Sequence, residues 1–315
     1  MRTTNRSPSR VVRLRPAGGI DPSVYLERRQ RQVDRALEQC LSAPRQPNQL
    51  IAAMRYALFP GGKRIRPILT LAAAEAVGAA PASVLPVACA IEMIHAYSLI
   101  HDDLPAMDDD DMRRGLPSCH VKFGEALAIL AGDALLTEAF AVMADAAAKH
   151  GADLRRGVQT MREVADAAGR RGMVGGQVAD MTAEKQATDL PSVEMIHIRK
   201  TGALIRVAVR GGALLGGASP EQLKKLTGYA DSIGLAFQIA DDILDAEGSP
   251  KSTGKRRGRD VERHKATFPA VIGLPASKDR ARELLARALR QLRRFDHRAE
   301  PLRQIAQFIV ARACP

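Results

Sequence analysis

Two groups of aspartates sit where this chain otherwise reads as apolar helix: Asp102, Asp103 and Asp108 through Asp111, then Asp241, Asp242 and Asp245. Acids are hard to fold around at such places. Like charges one helical turn apart weaken an isolated helix by about 0.2–0.5 kcal/mol. Burying a carboxylate without a cation costs far more. A fold that keeps both groups must bring cations to them or turn them towards water. The stretch before the first group, VLPVACAIEMIHAYSLI, is apolar on most faces, which predicts a buried helix ending inside a bundle. The second group lies in SIGLAFQIADDILDAEG, where Asp241 and Asp245 share a face at i and i+4 with Gln238 one turn earlier.

Helical signals dominate the rest. Helices are expected from about Pro22 to Leu41, from Asn48 to the Pro60-Gly61-Gly62 turn, over Glu125 to Lys149, from Asp153 to Glu184 with a glycine-containing middle, after Pro191, and from Pro220 to Gly248. Two short helices finish the chain. There is no alternating strand pattern, so the reading is an all-α bundle of about ten helices. The 315 residues, 46% of them hydrophobic, suit one domain over residues 21–315. Residues 1–20 are expected to be a disordered basic tail, because Pro8, Pro16 and Gly18-Gly19 break an amphipathic helix. The tail shares its Arg and Ser content with mitochondrial presequences but has no secretory apolar segment. Asp133 and Glu138 interrupt the longest apolar run, Ala126 to Ala148, so no membrane span is expected.

The net charge of +12 invites a nucleic-acid reading, but its distribution opposes one. Residues 1–35 carry nine Arg against three acids, and residues 251–315 carry seventeen basic against six acidic residues. The remaining 36–250 therefore hold 21 basic and 26 acidic residues. The centre is acidic, and aromatics, at 3%, are too few for a base-stacking surface. The C-terminal basic residues read as a solvated helix face. Four scattered cysteines form no metal-ligand spacing. Free thiols in a reducing cytoplasm are the expectation, with neither nucleic acid nor stable membrane association.

The first acidic segment, HAYSLIHDDLPAMDDDDMRRG, separates Asp102 from Asp108 by six residues. Pro105 breaks the helix, so the intervening residues can loop out and return Asp108 towards Asp102. Arg113 and Arg114 follow at once, a pair suited to diphosphate oxygens. Clustered hard oxygen ligands are what Mg²⁺ selects, usually together with substrate phosphates. Two such clusters on separate helices suggest one metal-bridged diphosphate site. Cations to match lie in GGKRIRP (Lys63, Arg64, Arg66), in HIRKTGALI (Lys200, Thr201, with Gly202 a helix kink) and in STGKRRGRD (Lys255). Lys63 and Arg66 can share a helix face, and the Gly pair can let a phosphate approach the backbone. Taken singly, each of these cations reads as surface charge, and His95 as a core histidine.

Together these segments resemble the trans-isoprenyl diphosphate synthase (polyprenyl synthetase) family, with a closest likeness to bacterial farnesyl diphosphate synthases. The likeness runs from about Ala52 to the C-terminus and includes CHVKFGEALAILAGDALL and GMVGGQ. It implies helices around a deep central cavity, and a homodimer. By family pattern Asp102, Asp108 and Asp241 ligate Mg²⁺, three ions per site, with Mn²⁺ as a substitute. Asp103, Asp242 and Asp245 would ligate directly or through water. The allylic diphosphate would meet Arg113, Lys200, Thr201, Gln238 and Lys255. Isopentenyl diphosphate would meet Lys63, Arg66, His95 and Arg114. The catalytic set implied is Asp102, Asp108, Arg113, Lys200, Asp241 and Lys255.

The implied reaction is ionisation, condensation and elimination. Isopentenyl diphosphate is joined to dimethylallyl and geranyl diphosphate to give farnesyl diphosphate, with released pyrophosphate taking the proton. Tyr97 lies five residues before Asp102, about 7.5 Å along a helix at 1.5 Å per residue. An aromatic there, beside Ser98, is the family's pattern for a floor that stops growth at fifteen carbons. As a plain reading of the residue, Tyr97 is an ordinary core tyrosine. The alternatives are a geranylgeranyl diphosphate synthase and a non-catalytic subunit of a prenyl synthase, the latter opposed by two intact acidic motifs.

Overall fold

The computed structural model describes residues 22–42, 48–149, 154–183, 189–247 and 267–314. The basic tail and Lys255 lie outside the described residues. Helices α1 (Pro22–Cys40) and α2 (Asn48–Leu58) precede α3 (Ile65–Ala76) and α4 (Leu85–Asp102). A short α5 (Cys119–Phe123) leads into α6 (Glu125–Lys149), α7 (Leu154–Ala168) and α8 (Met173–Ala183). Next come α9 (Leu190–His197), α10 (Ala203–Leu215) and α11 (Pro220–Ala246). After the second acidic group, α12 (Phe268–Ile272), α13 (Leu274–Gln291) and α14 (Glu300–Ala311) close the bundle.

The most buried helices are α3, α4, α10 and α11. The α3 and α10 backbones touch, because a Cβ at Gly212 would lie 2.0 Å from the Thr70 carbonyl oxygen. Only glycine permits that approach. Around these, α4 packs along α6, α11 along α13, and α10 against α7. Fully buried aliphatics such as Ile68, Leu69, Ile91 and Ile94 each contribute about 1.5–3 kcal/mol by leaving water. Local signals agree: Ser219 and Gln222 form a reciprocal capping box at the start of α11. Asp189 caps α9 by accepting from the Ser192 N–H at 3.0 Å.

Four sequence expectations change. The helix expected over Asp153–Glu184 divides between α7 and α8, because the chain turns tightly at Gly169 and Gly172. A Cβ at Gly172 would lie 2.0 Å from the Ala167 carbonyl oxygen. A two-stranded ribbon exists, β1 (Met112–Arg113) antiparallel to β2 (Leu116–Pro117). Its turn residues Arg114 and Gly115 have φ of 53° and 79°, the geometry of a tight hairpin. Two-residue strands are too short to leave an alternating pattern. Among the described residues two helical stretches, Pro81–Asp102 and Glu125–Lys149, are long and apolar enough to cross a membrane. The first is a mostly buried core element, whereas α6 carries Ile129 and Leu130 at 42% and 56% exposure. Finally, α3 begins at Ile65, so Lys63 precedes the helix and shares no face with Arg66.

Candidate active site

The C-terminal end of α4, the ribbon, the α9–α10 junction and the last turns of α11 meet at one cavity of about 370 Å³. Asp102, Asp108, Asp241 and Asp242 line it with Arg66, His95, Arg113, Arg114, Lys200, Thr201 and Gln238. The two acidic groups, 139 residues apart between Asp102 and Asp241, therefore share one site.

Pro105 acts as expected. The α4 helix stops at Asp102, and the chain folds back so that the Asp108 N–H donates to the Asp102 carbonyl at 2.8 Å. The Asp109 and Asp110 N–H groups donate to the carbonyls of Leu104 and Asp103, and Asp109 takes a left-handed φ of 47°. The loop returns Asp108 beside Asp102. Arg113 lies on β1 and donates to both Asp103 oxygens, from Nε at 3.0 Å to each. Asp103 is thereby tied off and is absent from the cavity lining. Arg114 donates to the Gly61 carbonyl. A Cβ at Gly62 would lie 2.5 Å from the Arg114 guanidinium. Gly62 thus makes room for an arginine, where the sequence suggested an opening for phosphate, while a Cβ at Gly61 would meet nothing within 4 Å.

The second group stands on an unbroken helix and is fixed from outside it. Asp242 accepts from Gln238 Nε2 at 2.9 Å and from the Phe268 N–H at 3.1 Å. Its Oδ2 also meets His197 Nε2 at 2.9 Å, and that imidazole stacks on Phe268. Arg312 donates to Asp241 Oδ1 at 2.8 Å, correcting the reading of the C-terminal basic residues as a solvated face. Asp245 is absent from the cavity lining.

Lys200 and Thr201 owe their positions to the π-helical turn Ile198–Gly202 between α9 and α10, a wider turn often found at functional sites. Lys200 donates to Asp180 of α8 at 2.6 Å. Gly176 lets α8 approach, since a Cβ there would lie 2.3 Å from the Lys200 backbone nitrogen. Thr201 donates to Gln238 Oε1 at 2.8 Å. This completes a chain from Thr201 through Gln238 to Asp242.

Burial dominates the electrostatics and raises the carboxyl pKa of both Asp102 and Asp241, despite nearby Lys200 for one and Arg312 for the other. At the other end of the cavity, burial and the surrounding Arg66, Arg114, Arg113 and Arg64 hold His95 well below its ordinary range. His95 is therefore neutral near pH 7. The Nε of Arg66 is buried without a hydrogen-bond partner. Arg64 is committed elsewhere: it takes a φ of 48° and bonds Asp34 at 2.8 Å and Glu92 at 2.9 Å. Lys63 is absent from the cavity lining. Burial lowers its pKa, as does Arg312, while Asp241 opposes the shift.

No three His, Cys, Asp or Glu side chains among the described residues form a preformed metal cage. Magnesium rarely uses one; it is held by one or two carboxylates, waters and substrate phosphates. Asp102, Asp108 and Asp241, facing one cavity with cations behind, suit that mode. Tyr97 is 7% exposed and packs edge-on to His101, with ring centroids 5.6 Å apart. Burial, with help from Asp102, pushes its hydroxyl up to about 12. Ser98 donates to the His95 carbonyl at 2.9 Å. Neither residue lines the cavity.

Sequence reasoning missed Asp180, His197 and Arg312. The glycines of GMVGGQ were the available signal for Asp180, since they mark a close helix approach. His197 and Arg312 act across 45 and 71 residues, and nothing local marks them.

Residues 47–306 match the model of the polyprenyl synthetase family. The chain is 46% identical to a farnesyl diphosphate synthase of Geobacillus stearothermophilus, over 91% of this chain and 97% of that one. It is 47% identical to a geranylgeranyl diphosphate synthase of Cyanophora paradoxa, over 91% and 95%. Among solved structures it is similar to an apo FPP/GFPP synthase from Zymomonas mobilis. The TM-score is 0.82 at 38% identity, covering 92% of this chain and 98% of that one.

Proposed function

Because the chain belongs to the polyprenyl synthetase family, we propose that it joins isopentenyl diphosphate to dimethylallyl and then geranyl diphosphate, giving farnesyl diphosphate. The observation that carries this reading is one cavity with two carboxylate groups and two separate sets of cations. One set, Lys200 and Arg113, stands beside Asp102 and Asp108 and suits a leaving diphosphate. The other, Arg66 and Arg114 with neutral His95, suits the diphosphate that is retained. Asp102, Asp108 and Asp241 would hold magnesium, which would supply Lewis-acid stabilisation of the departing charge.

The residues of the chain supply the rest. Lys200, steadied by Asp180, and Arg113, steadied by Asp103, aim positive charge where negative charge develops, with no reorganisation needed at that moment. Thr201 and Gln238, held in register by Asp242, orient the same diphosphate. Leu99, Ile196 and Phe237 give the cavity apolar wall, which keeps water from an allylic cation. The proton lost at elimination goes to the released pyrophosphate, since His95 is ringed by arginines that disfavour its protonation.

Product length rests on Tyr97. Two observations favour a twenty-carbon alternative: Tyr97 stands behind the lining residues, and the Cyanophora relative makes the geranylgeranyl product by name. Incubating the purified chain with isopentenyl and dimethylallyl diphosphates, with and without Mg²⁺, tests both. The expected result is Mg²⁺-dependent farnesyl diphosphate on chromatography. A twenty-carbon product selects the alternative, and no condensation product overturns the reading. A homodimer is the second part of the proposal. Exposed Ile129 and Leu130 on α6, Val121 on α5, and Leu154 and Val158 on α7 lie on adjoining elements and would cover one another across two copies. Light scattering should give twice the chain mass, and Leu130→Glu should give monomer.

A further inference from the structure

On the far side of the π turn lies a second, larger cavity of about 800 Å³. Six arginines line it, Arg171, Arg199, Arg206, Arg210, Arg280 and Arg287, against four carboxylates. Four of the arginines are held in place by those acids. Arg210 bonds Glu163 at 2.7 and 2.8 Å, and Arg280 bonds Glu194 at 3.0 Å. Arg206 meets Asp231 at 3.5 Å, and Arg171 pairs with Asp166. Among the described residues Arg199 and Arg287 make no hydrogen bond or ion pair. The lining thus has an excess of two positive charges on guanidinium forks, the geometry that grips phosphate oxygens in pairs.

The rest of the lining narrows the class of ligand. Val207, Leu235 and Leu284, largely removed from solvent, form an aliphatic floor. Among the described residues no aromatic ring lines the cavity, so none of them offers a stacking platform for a nucleotide base. We infer that this groove is a second binding site, for a small aliphatic molecule with a phosphate or diphosphate head. Its rim arginines Arg199 and Arg287 take the head, and the floor takes the chain. The π turn is the wall between the two cavities: Arg199 faces this one, and the next residue, Lys200, faces the first. An occupant drawing on Arg199 therefore bears on Lys200, and binding is coupled to turnover.

Octyl phosphate is a suitable probe, because it has the head and the chain but no allylic bond to ionise. Calorimetry on the full chain in metal-free buffer should show it binding, with octanol failing to bind. Arg287→Glu, on α13 and away from the first cavity, should weaken binding at least tenfold while leaving basal turnover unchanged. Arg66→Glu, inside the first cavity, should leave octyl phosphate affinity as it was. Binding that survives Arg287→Glu, binding lost in Arg66→Glu, or octanol binding equally well would each overturn the site. Should Arg287→Glu melt at a lower temperature than the parent, Arg199→Gln, at the other head-binding arginine and exposed, is the second groove variant; judged by calorimetry alone, it should weaken octyl phosphate binding likewise, and unchanged binding would overturn the site. In turnover assays octyl phosphate should change the rate of the parent and not of Arg287→Glu. An equal change in both assigns the effect to the first cavity and overturns the coupling, as does no change in the parent. The calorimetry does not depend on which reaction the first cavity performs, so its failure is separable from failure of the proposed activity.

Discussion

The two carboxylate groups reach the same arrangement by opposite means. Each presents carboxylates to the cavity and ties off a neighbouring one, Asp103 on the first wall and Asp242 on the second. On the first wall everything needed lies between Asp102 and Ser118. A proline-broken helix, a backbone loop and a tight hairpin bring Arg113 onto Asp103. On the second wall the helix continues unbroken and contributes only Gln238. The other holders, His197, the Phe268 N–H and Arg312, come from 45, 26 and 71 residues away. A site can thus be half local motif and half tertiary agreement. The two halves should then fail differently when perturbed.

The largest effects should fall on Asp102 and Asp241, the carboxylates that would hold the metal, and equally on both walls. Asp102→Asn and Asp241→Asn should each lower kcat about 100- to 1000-fold, the usual cost of losing one preorganised electrostatic group, with little change in melting temperature. Steady-state kinetics beside thermal denaturation checks this. A deep loss on one wall alone would mean that the cavity is not a joint site.

The tied-off carboxylates should separate the walls. Asp242→Asn sets an amide among donors from three elements in the interior, costing about 1–3 kcal/mol for the unsatisfied groups. Asp103 is as buried as Asp242, but Asp103→Asn disturbs a single arginine of the same loop, which keeps Asp110 as a partner. The Asp242 variant should therefore melt several degrees below the Asp103 variant, and equal melting temperatures would erase the distinction. A perturbation of similar size reaches Lys200 from α8. Gly176→Ala puts a methyl 2.3 Å from the Lys200 nitrogen, where backbone must give way. Overpacking of this kind costs about 1–3 kcal/mol. It should also lower kcat more than it raises KM, because Lys200 moves relative to the leaving group.

The same contrast explains what could be read in advance. The all-α bundle follows from helical periodicity and from breakers and helix starts such as Pro105, Pro191 and Pro220. Each of these acts within a few residues. Asp102, Asp108, Arg113 and Arg114 were legible because the first wall is local. On the second wall Asp241 and Gln238 were legible, but their holders were not. His197 resembles any core histidine, and Arg312 resembles any base on an amphipathic C-terminal helix. Lys63 and the Gly61-Gly62 pair were misread for a related reason. A left-handed Arg64 and the incoming Arg114 decide that turn, and Arg114 arrives from 53 residues away.

The smallest expected effect concerns Arg312, and its direction is the sharpest test of the second wall. Arg312 occupies one oxygen of Asp241 while its guanidinium sits 5.3 Å from the Phe237 ring centroid. Asp241 Oδ2 is left for a metal ion, and Arg312 is then a competing cation on the same carboxylate. Arg312→Met keeps the apolar contact on Phe237 and removes the charge. The ion pair is partly exposed, at 15% and 36% for the two side chains. Such pairs are worth at most about 1 kcal/mol, which limits the change to about fivefold. If Arg312 only occupies Asp241 in the absence of ligand, the Mg²⁺ concentration for half-maximal turnover should fall by up to that factor, with KM for isopentenyl diphosphate unchanged. If the Mg²⁺ requirement rises, or that KM rises, Arg312 serves the bound diphosphates. The second wall would then have a cation that crosses to substrate, as proposed for Arg113 on the first, and the two walls would be more alike than their connectivity suggests.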